Sequence, residues 1–100
     1  MDSTVKDPQF RARHGCGALK MMGQAFPDCD CYVEWMFDRP TRAWVVTLHA
    51  DCGWPHRFRS VFLMSEIQCQ NFRSEEEFQF VFEHCVYEGI VLINEEMGNL

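Results

Sequence analysis

The sequence predicts a single α+β domain: a three-stranded antiparallel meander, a short helix before it and one long helix in the C-terminal half. Two hydrophobic periods and one capping motif predict it. Residues 29–64 alternate apolar and polar side chains with a period of two, interrupted twice by turn residues. Residues 75–88 repeat at three and four instead, directly behind the capping box Ser74-x-x-Glu77. With 100 residues, 47% of them hydrophobic and 24% charged, the chain has room for one domain and enough apolar surface for a core.

Residues 1–14 are polar, mixed in charge and contain Pro8, which predicts a flexible arm ahead of a domain over 15–100. In residues 16–26, Ala18, Leu19, Met22, Ala25 and Phe26 fit one helical stripe, and Pro27 ends it. Along residues 29–37, Cys29, Cys31, Val33, Trp35 and Phe37 point one way, while Asp30, Tyr32, Glu34 and Met36 point the other. Asp38 to Thr41, with Pro40, read as a turn into a second strand over 42–50. There Trp44, Val46, Leu48 and Ala50 share a face.

A second turn, Asp51 to Pro55, leads to a third strand over 56–64, with Phe58, Ser60, Phe62 and Met64 on one side. Val61 and Leu63 make its other side partly apolar, so the sheet is expected to be covered on both faces. In the long helix, Phe78, Val81, Phe82 and Cys85 form the buried stripe, with Gly89 as its stop. Ile90–Ile93 then read as a short fourth strand, followed by a tail. The expected core is Val33, Trp35, Phe37, Trp44, Val46, Leu48, Phe58, Phe62, Phe78, Val81, Phe82 and Ile90.

The charge is lopsided. Residues 1–65 carry eight Lys and Arg against seven Asp and Glu; residues 66–100 carry Arg73 alone against eight Glu, within a net charge of −6. Such a surface repels phosphate backbones, so direct nucleic-acid binding is not expected, and it attracts basic proteins. Glu75, Glu76, Glu83 and Glu88 are the expected partner-binding carboxylates, with Trp54 in its Gly-Trp-Pro turn as an aromatic anchor. The competing role for the glutamates is simple solvation of a helix face. No apolar run is long enough to span a membrane. Met1 to Arg13 lack the apolar stretch of a secretory signal, which predicts a cytoplasmic location.

Six cysteines suggest either disulfides or a metal site. In a reducing compartment they are expected to be free thiols. The alternative is structural zinc on Cys29, Cys31, His49, Cys52 and His56, although paired CxxC knuckles are missing. His84 and Cys85 diverge by about 100° on a helix, and His49 with Cys52 is the better pair for nucleophilic chemistry. Without a catalytic motif, the expectation is a non-enzymatic module with no cofactor, able to act as a monomer or a homodimer.

The α-β-β-β-α order over residues 16–88 resembles the double-stranded RNA-binding domain in topology. That family opens its last helix with lysines that contact phosphates. Here the same place reads Glu75-Glu76-Glu77, an inverted charge that turns the expectation from duplex RNA to protein contacts. In size and charge the chain is also similar to small phage inhibitors of nucleic-acid-handling complexes, anti-CRISPR proteins included. The resemblance implies docking on a basic protein surface, in the host cytoplasm if phage-encoded.

Overall fold

The computed structural model describes residues 4–99. After a 3-10 turn at Thr4–Lys6 come α1 (Pro8–Ala25), β1 (Asp30–Asp38), β2 (Ala43–Asp51), β3 (Arg57–Ser65), α2 (Glu66–Asn71) and α3 (Glu75–Gly98). The strands form one antiparallel sheet in the order β1-β2-β3. Trp35 stands opposite Val46, and Val46 opposite Phe62, so all three predicted apolar faces coincide. The fold is therefore the expected α+β meander. Both long helices cover that face, α1 against β1 and α3 against β3, and they also pack on each other.

Aromatic rings fill the space between helices and sheet. Phe78 touches Phe10 of α1, Phe72 and Phe82, at ring separations of 4.9, 5.4 and 5.6 Å. Phe82 in turn meets Trp35 of β1 and Phe62 of β3. Most of these contacts are edge-to-face, the arrangement the ring quadrupoles prefer. Val46, Leu48, Phe58, Phe78, Phe82 and Ile90 of the expected core are buried. Val33, Trp35, Trp44, Phe62 and Val81 pack half-buried around them, as does Phe37 at the sheet edge.

Several elements differ from expectation. The N-terminal helix begins at Pro8, so residues 8–14 belong to the packed domain and are not an arm. Asp7 caps it by accepting the Gln9 N–H at 2.9 Å, and Pro8 sits at the first turn, where its missing N–H costs nothing. Phe10 is fully buried, and Val5 ahead of the helix is buried too. Residues 1–3 lie outside the described residues. The stripe runs through Phe10, Ala18 and Met22, leaving Leu19 and Ala25 exposed.

Helix α3 does not stop at Gly89. It continues to Gly98, so residues 90–93 are helical rather than a fourth strand, and Ile90 and Ile93 are buried. Gly89 is a packing glycine: a Cβ there would lie 2.6 Å from Leu48 Cδ1. Its buried stripe is Phe78, Phe82, Val86, Ile90 and Ile93, with Val81 and Cys85 at the margin. The Ser74 hydroxyl accepts the Glu77 N–H as the capping box requires, while the Glu77 carboxylate reaches the Arg73 N–H. Between β3 and α3 lies α2, capped by Ser65, whose hydroxyl takes the Gln68 N–H, and anchored by buried Cys69.

The far face of the sheet is bare rather than covered: Tyr32, Met36, Val61 and Leu63 on it are exposed.

Candidate functional site

The outward face of α3 is not purely acidic. Phe80 and Tyr87, which the sequence reading passed over, are 76% and 59% exposed, and Val91 and Leu92 are exposed as well. At about 100° per residue, Phe80, His84, Tyr87 and Val91 fall into one seam opposite the Phe78–Phe82–Val86 stripe. Exposed Glu76 and Glu83 flank the seam on one side, and exposed Glu88 and Glu95 on the other. The signal was present in the spacing: a helix with one buried stripe has no use for two further aromatics on its opposite side.

The predicted carboxylates are not equivalent. Glu75 faces α1, where Arg13 donates to it at 2.9 Å and His14 lies 3.1 Å away. The Arg13 hydrogen bond, with a contribution from His14, holds the Glu75 carboxyl below the usual glutamate range. Glu75 therefore joins the two helices rather than standing free. Glu83 accepts from Gln79, and Glu88 pairs with His84 one turn back. Both are exposed contacts along one helix, which leave the carboxylates open to solvent.

Trp54 is 83% exposed. It projects from the β2–β3 turn, where Gly53 takes a positive φ and Asp51 accepts the Gly53 N–H. The Arg57 guanidinium lies 5.7 Å from its ring, and nothing draws the indole back onto the sheet.

The Cys/His cluster is not assembled. Cys29 and Cys52 form a disulfide, which corrects the expectation of six free thiols and removes both as thiolate ligands in this state. Their Cα atoms are 4.3 Å apart, one step beyond the Asp30–Asp51 pair, the spacing of directly opposed residues in an antiparallel sheet. His49 lies on the other face, its ring stacked on Tyr32 and hydrogen-bonded to Glu34. Cys31 is left on the inner face, and His56 is exposed in the turn. Among the described residues no group of three or more His, Cys, Asp or Glu is placed to hold a metal ion.

Neither His–Cys pair considered for nucleophilic chemistry comes together, since Cys52 is oxidised and His84 turns to Glu88. Burial pushes the thiols of Cys31 and Cys85 upward, and that of Cys69 to about 11, which works against the thiolate that nucleophilic chemistry needs.

Among the described residues, no helix is long and apolar enough to cross a membrane. Comparison with protein-family models, curated proteins and solved structures finds no match.

Proposed function

We propose that this protein is a non-catalytic binding module whose α3 seam docks into an apolar groove with a basic rim on a protein partner. The observation that carries the reading is the pair of exposed aromatics, Phe80 and Tyr87, set between two rows of glutamates. Helices that lie in grooves are read through such anchors at successive turns. The flanking carboxylates steer encounter and select against acidic partners. They also select against a second copy of this helix, since pairing two such faces would set glutamates against glutamates. A nucleic-acid-handling protein offers the required lysines and arginines, and an inhibitor of the phage type would act in this way.

The test is capture of partners from the native host, followed by binding measurements with variants. Phe80→Ala with Tyr87→Ala should abolish capture. Glu76→Lys with Glu83→Lys should slow association and remove most of its salt dependence. Phe80 and Tyr87 are exposed, so their removal should barely move the melting temperature, whereas Glu76→Lys reverses a first-turn charge of α3 and should lower stability by about 0.3–1 kcal/mol. A second reading rests on Trp54, the most exposed large hydrophobic side chain described. If Trp54→Ala abolishes capture while the α3 variants bind normally, the interface is the β2–β3 turn and the α3 reading fails.

A further inference from the structure

Four of the nine Lys and Arg residues of this acidic chain line one groove: Lys6, Arg11, Arg39 and Arg42. They come from the segment before α1, from α1 itself and from the β1–β2 turn, and they surround Phe37 and Trp44. One carboxylate, Glu66, stands among them, so the groove carries an excess of positive charge. It is open to solvent and encloses about 550 Å³, within the range of small-molecule sites, about 300–1,000 Å³.

Lys6 and Arg42 share the Glu66 carboxylate, while Arg11 and Arg39 supply the excess positive charge. Glu66, whose side chain is only 14% exposed, receives the Arg42 fork at 3.2 and 3.3 Å and lies 3.9 Å from Lys6. Arg11 donates to the Val5 carbonyl at 2.7 Å, and its guanidinium lies 4.5 Å over the Trp44 ring. Arg39 is exposed at the rim and takes no part in the Glu66 pairs. Phe37 and Trp44 meet edge to face at 5.3 Å and make the apolar wall.

The backbone adds an independent observation. Arg42 has φ 53°, the left-handed region that favours glycine. An arginine there is strained, and glycine would relieve the strain. What glycine would not supply is the guanidinium that holds Glu66 at the groove.

The geometry points to a phosphate monoester attached to a planar ring as the ligand of this groove, with Arg39 on the phosphate, assisted by the Arg42 Nη1 that Glu66 does not take, and with Phe37 and Trp44 beside the ring. A free guanidinium fork such as that of Arg39 matches phosphate oxygens in pairs. Aromatic side chains take the flat body of such a molecule. The net charge of −6 disfavours a long polyanion, whose many phosphates would meet the acidic remainder of the surface, and favours a ligand small enough to lie inside the groove. The ligand chemistry is shared by a free nucleotide and a phosphotyrosine side chain.

The test is NMR titration of the intact protein with adenosine monophosphate and with phosphotyrosine, each at millimolar concentration, using ribose phosphate and inorganic phosphate as ring-free probes. At least one ringed probe should shift the Trp44 indole and Arg39 amide signals saturably, and the tighter of the two identifies the source. Arg39→Ala and Arg42→Gly should each weaken that binding by about tenfold or more, or 1.4 kcal/mol. The glycine variant keeps the backbone conformation, and unchanged melting of Arg39→Ala guards against a folding artefact. Phe80→Ala should leave the titration unaltered, which separates this site from the α3 seam. The proposal is overturned if neither ringed probe shifts those signals, if ring-free phosphates bind as tightly, or if both arginine variants bind like the parent.

Discussion

Gly89 of α3 approaches Leu48 of β2 so closely that a methyl group on its Cα would sit 2.6 Å from Leu48 Cδ1 and 3.3 Å from the Ser60 hydroxyl oxygen. The contact fixes how deeply the helix settles on the sheet. Gly89→Ala gains about 1 kcal/mol of helix propensity, but it forces a group into a packed core at a typical cost of about 1–3 kcal/mol. Leu48 is fully buried and has little room to turn away. The expected outcome is a net loss of stability in urea melts, and a larger loss for Gly89→Val. Shortening Leu48 to Ala should absorb much of the Gly89→Ala penalty, so a double-mutant cycle should show coupling between the two sites.

The Cys29–Cys52 bond closes a loop with a sequence separation of 23. Removing it by Cys52→Ser should lower stability by about 2–4 kcal/mol. Alkylation of the unreduced, unfolded chain should label four thiols, those of Cys16, Cys31, Cys69 and Cys85. Six labelled thiols would refute the pairing.

Among those four, reactivity should follow exposure and thiol acidity. Cys16 is exposed on α1, whereas Cys69 is buried and its thiol is raised to about 11, by burial first and then by Glu66. At mildly alkaline pH, Cys16 should be labelled first and Cys69 only as the protein opens. Time-resolved mass spectrometry reads the order.

Phe10 and Phe82 belong to one aromatic cluster although they lie on different helices. Each is buried, so Phe10→Ala and Phe82→Ala should each cost about 3–5 kcal/mol in a denaturant melt. A negligible loss at position 10 would return the N-terminal segment to the status of a loose arm.

The pairing of Glu75 with Arg13 has a definite pH signature. A carboxyl whose folded value is depressed stabilises the fold above its unfolded value, and that contribution disappears as pH falls through the folded value. The window therefore lies at and below the ordinary glutamate range. Because the group is exposed, the change in stability should be small. The clearer measurement is a carboxyl-resolved NMR titration, in which Arg13→Ala should move the Glu75 midpoint upward.

What could be read from the chain depended on the range of the interaction. The strand faces follow from alternation alone, and Ser74-x-x-Glu77 places the start of α3. Two further local signals are legible in the chain. Asp7-Pro8 marks a helix start as clearly as Ser74 does, and Ser65-x-x-Gln68 repeats the capping pattern at α2. The disulfide needed one further step, because a hairpin turning at residues 39–42 sets 29 opposite 52. Gly89 could not be read correctly, since its reason lies across the core in Leu48. The Phe80–Tyr87 seam was visible as helical spacing, but the groove of Lys6, Arg11, Arg39 and Arg42 was not, because its cations come from segments that only folding brings together.

The position of the Cys29–Cys52 bond also limits how two molecules can exchange parts. Domain swapping requires a segment to leave its own body and occupy the same place in a neighbour. Strand β1 is an edge strand, yet the bond between Cys29, just ahead of it, and Cys52, just after β2, ties one end, and the turn at residues 39–42 ties the other. Neither β1 nor the hairpin it forms with β2 can be split between two chains while the bond is intact. Helix α1 lies outside the closed loop, connected only by the short stretch from Phe26 to Cys29. In the oxidised protein, an exchange from the N-terminal side therefore takes either α1 alone or α1 with the whole hairpin, hinging before Cys29 or after Cys52, and reduction would add a hinge at the 39–42 turn.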